Sequence, residues 1–249
     1  NIMKNQNFNK GLTLTALGSF WWGVIGVIYF KYISFAGPIE VVIHRCIWTS
    51  AVLIITTFYF SKWNIFFEII ANKKKLMWLF FSGLLIFINW ATWIFAVGTE
   101  KIIDASFGYF IMPILSVFLG YIFYNEKINK KRGVSIILVL ISILFLLVVN
   151  FNSIPWVGII VALSWGFYNL LRKKINVDTD VGLLIESLFI LPFALFSFYL
   201  IFQNNLNDFT LTSPSLMLVF MLAGPMTVIP LFMYVRGVEL CGLGPTGMI

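Results

Sequence analysis

The chain has 249 residues, 60% of them hydrophobic and only 11% charged, with a formal charge of +7. A soluble domain carries about 25% charged residues, so a chain with mean hydropathy +0.96 cannot cover a globule with polar groups, and the lipid bilayer is its natural partner. Its basic residues lie in short loops between apolar runs, which argues against nucleic acid; one His, and two cysteines without a CxxC spacing, exclude a His-rich metal site and an HExxH protease.

A helix crosses the ~30 Å hydrocarbon core in roughly 20 residues, and an isolated open strand cannot satisfy its backbone there. Eight helical spans are predicted in chain order, over residues 11–30, 38–60, 76–97, 105–124, 133–149, 154–171, 181–202 and 215–235. The first apolar run, about 20 residues long and without a small-residue cleavage site, reads as a retained span. With the N-terminus in the cytoplasm, fourteen Lys and Arg fall inside, and only Lys31 and Lys101 outside, with Arg45 embedded. That asymmetry fixes the expected orientation by the positive-inside rule.

An internal repeat runs through these spans. Gly98-x-Glu100 with Gly108 recurs 139 residues on as Gly237-x-Glu239 with Gly247. Trp22-Gly23 recurs as Trp165-Gly166 and Lys31 as Lys174, both at an offset of 143, and Glu40 recurs as Glu186 at 146. The unit holds five spans, an odd number, so the second copy enters the membrane upside down. The expected fold is all-α and integral to the membrane, with one repeat over 1–150 and a second, inverted repeat over 151–249. Residues 241–249 align with 102–110, where the fourth span begins. Ten spans are therefore expected in the intact protein, with roughly 40–50 further residues. Inverted repeats of this kind place a binding site near the bilayer midplane, between the copies.

The polar residues inside the spans are the site candidates. Glu40 and His44 share a helix face at i, i+4. Arg45 lies one step round, seven or eight residues from the outer interface, or roughly 11 Å at ~1.5 Å per residue. A central Arg costs about 2.5–3.5 kcal/mol on insertion scales, so it should face the bundle or a wet cavity. Two roles suit it: binding an anionic or zwitterionic group, or pairing with Glu40 or with carbonyls of a broken helix. His44 offers either a switchable proton or a structural hydrogen bond. Glu186, the repeat mate of Glu40, is either a carboxylate that loads and releases a proton or one that snorkels toward Lys173 and Lys174.

Aromatic residues supply the second signal. Trp22, Trp90, Trp93 and Trp165 lie deep in their spans, with Tyr109 and Tyr168 on the fourth and sixth. They suit stacking on a planar substrate or caging a quaternary ammonium, and equally suit plain packing. Asn89, beside Trp90, needs a partner for its buried amide. Pro113, Pro192, Pro225 and Pro230 fall mid-span, where each removes a backbone donor; they serve as hinges or as simple kinks.

The stretches NWATWIFAVGTEKIIDASFGYFIMPILSVFLGYIFYNEKIN (89–129), EVVIHRCIW (40–48), YFK (29–31) and SWGFYNLLRKK…VGLLIE (164–186) resemble the RarD proteins of the EamA group, in the drug/metabolite transporter superfamily. The resemblance covers most of the chain; after Thr227 it keeps spacing better than identity. It implies ten helices in two inverted units, a bacterial inner-membrane location, and export or exchange of small metabolites. It implies no particular substrate. The expected activity is secondary transport by alternating access of an amino-acid-like, zwitterionic, anionic or aromatic solute, without catalytic residues or a cofactor. No GxxxxGK[ST] loop is present, so a proton or solute gradient is the expected drive. Two other classes compete: a membrane-embedded lipid-modifying enzyme with His44 as base, for which no nucleophile stands at a recognisable spacing, and a scaffold or sensor. The oligomeric state, a homodimer included, is open at this point.

Overall fold

The computed structural model describes residues 2–126, 130–150, 155–210 and 212–249, and it contains no strand among them. The first predicted span is one long helix. α1 (Ile2–Phe20) passes through a π-helical turn at Trp21–Gly26 into α2 (Val27–Tyr32). A 3-10 turn at Ile33–Ala36 then leads to Gly37, whose φ of 75° suits a residue without a Cβ. The chain reverses there into α3 (Gly37–Tyr59), with Pro38 in its first turn, where no helical N–H is lost.

α4 (Trp63–Ala71), α5 (Lys73–Gly98), α6 (Ile102–Tyr124) and α7 (Lys130–Asn150) follow, then α8 (Trp156–Ile175), α9 (Thr179–Gln203), α10 (Pro214–Met221), α11 (Ala223–Cys241) and α12 (Leu243–Gly247). α6 and α8 each end on an asparagine in the left-handed region, Asn125 at φ 51° and Asn176 at φ 49°, a conformation asparagine tolerates better than most residues. Helix thus occupies each stretch predicted to span apart from Phe60, Pro155 and Leu222, residue 154 lying outside the described residues. Among the described residues, five segments are both long and apolar enough to cross a membrane: Gln6–Tyr59, which contains the reversal at Gly37, and then Lys73–Gly98, Ile102–Tyr124, Thr179–Gln203 and Pro214–Cys241. α7 carries a shorter apolar stretch, Gly133–Val149. α8 differs from the rest, with Arg172, Lys173 and Lys174 in its last turn and one face buried from Val157 to Ile175.

Two elements depart from the predicted pattern. α4 replaces an expected loop: nine residues are too few to cross lipid, but Phe66 and Ile69 at i, i+3 give it a buried face. The predicted eighth span is interrupted at Leu222 and runs on to Cys241. Pro225 lies in the first turn of α11, within the Pro214–Cys241 span, while Pro113, Pro192 and Pro230 are inside helices as expected.

The helices pack in a regular pattern. α1 lies along α11 and α5 along α8; α3 packs on α9 at the centre; α6 lies on α8 and against α12. The closest approaches occur at glycines. A Cβ on Gly108 would collide with the backbone of Gly158, one on Gly224 with the carbonyl of Trp48, and one on Gly237 with the hydroxyl of Thr15. In lipid, where apolar burial does not favour helix association, such small-residue contacts allow the backbone proximity that holds a bundle together.

Candidate functional site

The bundle encloses a cavity of about 430 Å³, within the roughly 300–1,000 Å³ usual for small-molecule sites. It extends from mid-bundle to the end where α2 stops, α5 stops and α6 starts, reaching Phe30, Val97 and Ile102. One wall is the π-helical turn, which sets Trp22 and Gly23 on the cavity. A Cβ on Gly23 would meet nothing within 4 Å, so the missing side chain is room for something else. π-Helical turns recur at functional sites because they re-aim side chains within a helix.

Arg45 projects from α3 into this space. It is 4% exposed, and Nε donates to Thr227 Oγ1 at 3.1 Å. Its guanidinium lies 4.7 Å from the ring centroids of both Phe30 and Trp90. Of the alternatives open in sequence, the pairing with Glu40 is not made; among the described residues Arg45 has no carboxylate partner. The reason is register: residues five apart on α3 diverge around the helix, so Glu40 points at the loop before α10. There it accepts the backbone N–H groups of Asp208 and Phe209, both at 2.8 Å.

The other walls come from α5, α6, α8 and α11. Trp93 packs edge-on against Phe30 at 5.5 Å. Asn89 donates its amide to the Val161 carbonyl at 3.1 Å and to Ser164 Oγ at 3.2 Å, tying α5 to α8. Tyr109, Ser106 and Pro113 line the α6 side, and residues 246–249 contribute as well. The deep end is an aromatic floor: Trp22 and Trp165 meet at 5.1 Å in a T-shape, and Tyr234 lies 5.1 Å from Trp165.

Seven residues predicted from sequence therefore surround one cavity: Arg45, Trp22, Asn89, Trp90, Trp93, Tyr109 and Trp165. Four do not. Glu40 anchors the loop described above. His44 is enclosed by Phe198, Phe209 and Phe220, its Nδ1 accepts from Trp48 Nε1 at 3.2 Å, and its Nε2 lies 3.6 Å from Glu40. Being one residue from Arg45, it faces another side of α3. Tyr168 lies behind the floor, stacked on Trp165 at 5.4 Å, and donates to Glu186 Oε2 at 3.1 Å. Glu186 in turn accepts from Ser82 Oγ at 2.5 Å and pairs with Arg172 at 3.5 Å, not with Lys173 or Lys174.

Arg172, Phe30, Thr227 and Tyr234 were absent from the predicted set. Arg172 is 1% exposed and also donates to the Thr179 carbonyl at 3.0 Å. In sequence it hides in an Arg-Lys-Lys run that reads as loop charge. Its spacing held a signal: Trp165, Tyr168 and Arg172 fall at i, i+3 and i+7 on one helical stripe.

Further charged contacts close the bundle beyond Arg172. Lys62 bridges Asp178 at 3.1 Å and Asp180 at 2.7 Å. Thr179 donates to Glu239, which also pairs with Arg236 at 2.9 Å. Glu126 pairs with Lys173 at 2.6 Å and accepts from the Leu243 and Gly244 amides at the start of α12. Burial alone would push the Glu126 carboxyl up; Lys173 and the two amides outweigh it and hold the group below the usual carboxylate range. Asp178 is likewise held low: burial opposes it, and hydrogen bonding with Asp180 and the Lys62 ammonium prevail.

Known proteins share this sequence pattern. Residues 9–148 match the EamA-like transporter family. The chain is 34% identical over 229 residues to an uncharacterized transporter of Vibrio cholerae, covering 92% of this chain and 75% of that protein. It is 30% identical to the uncharacterized transporter YojE of Bacillus subtilis, over 99% of this chain and 83% of the relative. It is 32% identical to Protein RarD of Escherichia coli, over 93% and 78%. Together with helices of membrane-crossing length, the match over more than half of its residues identifies the chain as an integral membrane protein that belongs to the EamA-like transporter family.

Proposed function

We propose that the protein is a secondary transporter of the bacterial inner membrane, which exports or exchanges a small metabolite by alternating access at the Arg45 cavity. The observation that carries this reading is a small-molecule-sized space inside apolar helices, with a cation and several indole rings on its wall. Its N-terminus lies in the cytoplasm, as the basic loops indicate. The cavity then faces outward, and the charged contacts around Arg172, Lys62 and Glu126 close the cytoplasmic side. Transport opens those contacts and closes the outer end.

The packing pattern supports two inverted units. Exchange each helix for its counterpart in the other half: α1 for α8, α3 for α9, α5 for α11, α6 for α12. The α1–α11 contact becomes α8–α5, the α3–α11 contact becomes α9–α5, and α3–α9 and α6–α12 map onto themselves; all of these are present. An exchange that preserves contacts is what a pseudo-two-fold axis in the membrane plane produces, and it is the architecture in which one unit rocks against the other. In this reading Glu186, which accepts from Tyr168 behind the floor, is the carboxylate that takes a proton during that cycle. The lipid-enzyme alternative depended on His44 as base, and the Phe198–Phe209–Phe220 enclosure separates His44 from the cavity.

A test independent of substrate identity uses proteoliposomes loaded with a radiolabelled pool of bacterial small metabolites and diluted into buffer. The wild type and Gly23→Ala are expected to release part of the label. Gly23→Leu, which fills the cavity, is expected to retain it. Complete retention by the wild type, or release unchanged by Gly23→Leu, contradicts the proposal.

A further inference from the structure

The cavity wall is charged in one sense only. Among the described residues that line it, Arg45 is the sole side chain of fixed charge, and no Asp or Glu appears. Its Nε is used by Thr227, while no partner is recorded for its two terminal nitrogens among the described residues. Trp22, on the same wall, has an indole N–H without an acceptor among the described residues. A guanidinium held this way, between Phe30 and Trp90 and with no carboxylate partner among the described residues, is a bidentate donor awaiting an acceptor.

We infer that the transported solute is a monoanion with a planar apolar body, its carboxylate or equivalent oxyanion held by Arg45 and its ring set among Trp22, Trp93 and Trp165. This deepens the transport reading and rests on it. A cation is disfavoured because Arg45 would repel it across a low-dielectric space, and because the guanidinium already covers Phe30 and Trp90. A zwitterion satisfies Arg45 but leaves its ammonium facing rings and an amide, with no carboxylate among the described lining residues to meet it. The site therefore separates aromatic acids from the corresponding amino acids and amines, where an aromatic cage alone would favour the amine.

Four probes that share a phenyl ring and differ in charge test this: phenylpropionate, phenylalanine, phenethylamine and phenylpropanol. Binding to the purified full chain is followed by tryptophan fluorescence, since four indoles line the cavity. Phenylpropionate is expected to bind about tenfold tighter than each of the others, the worth of one charge-assisted contact. That preference is expected to vanish in Arg45→Gln and to persist, weakened, in Arg45→Lys, with both variants checked for monodisperse elution. Equal or tighter binding of phenylalanine, phenethylamine or phenylpropanol to the wild type overturns the inference, as does the absence of binding by all four. So does an acid preference that survives in Arg45→Gln; the wild-type series decides even if that variant does not fold. Acid-selective binding without release from proteoliposomes would sink the transport reading and leave the anion site standing. Release confined to cationic solutes would do the reverse.

Discussion

Arg172 and Arg45 lie on opposite sides of the aromatic floor, at 1% and 4% exposure. Arg172 has Glu186 at 3.5 Å and the Thr179 carbonyl at 3.0 Å, and Glu186 is itself bonded to Ser82 and Tyr168. Arg45 has one hydroxyl and two rings. The surroundings are similar and the service is not. In a low-dielectric interior, a cation with a bonded carboxylate is a cross-link, whose removal leaves its mate charged and buried. In the transport reading proposed above, a cation without one is held for a group that comes and goes. The contrast separates the closed end of the molecule from the open one.

The largest effect expected from breaking this contrast falls on the closed end. Glu186→Ala strands Arg172 and should destabilise the protein by about 3–5 kcal/mol, read as the midpoint of thermal or detergent unfolding. The double variant Glu186→Leu with Arg172→Met should recover most of that loss. Next comes Glu126→Gln, which loosens α12 and α8 by about 1.5–3 kcal/mol. Because the Glu126 carboxyl is held below its ordinary value, its contribution is complete above about pH 4.3 and declines as pH falls further. The wild-type advantage over Glu126→Gln should shrink accordingly between pH 5 and pH 3, each pH being roughly chosen around that value. An advantage that grows toward low pH would show that the ion pair does not hold α12.

Smaller effects belong to the open end. Arg45→Met loses a hydrogen bond and two ring contacts but also a buried, unpaired charge, so stability should change by no more than about 1 kcal/mol. A loss as large as that of Glu186→Ala would mean that both arginines are cross-links. Smallest of all, Gly23→Ala should alter stability by about 0.5–1 kcal/mol at most, in the stabilising direction, because nothing stands within 4 Å of the added methyl.

The open end was also the more legible in sequence. Lipid demands long apolar helices, so the spans could be read from hydropathy. A deep Arg and paired indoles at i, i+3 announced a wall of the cavity. The closed end was hidden because its chemistry uses residues with ordinary loop signatures. Arg172 was masked by its two lysine neighbours, and the acceptor role of Glu126 depends on backbone amides of α12, which carry no sequence mark. The same holds for Glu40, whose partners are the amides of Asp208 and Phe209. Of the two roles open to His44 in sequence, the structure shows the hydrogen bond, with Trp48; one residue along a helix is about 100° of rotation, enough to turn it from the Arg45 cavity into a phenylalanine cluster. The break at Leu222 did carry a mark, because Pro225 has no N–H to offer the Met221 carbonyl four residues back.

The most direct test of the central claim, that the Arg45 cavity is the accessible solute site while the Arg172 side is sealed, is paired thiol labelling. Ser106→Cys lies on the cavity wall and Ser82→Cys beside Glu186, each in a Cys46→Ser, Cys241→Ser background in membrane vesicles of known orientation. A membrane-impermeant maleimide should modify Ser106→Cys from the periplasmic face, slowed by phenylpropionate, and leave Ser82→Cys intact. Equal labelling of the two positions, or labelling of Ser106→Cys that the anion does not slow, would contradict the account.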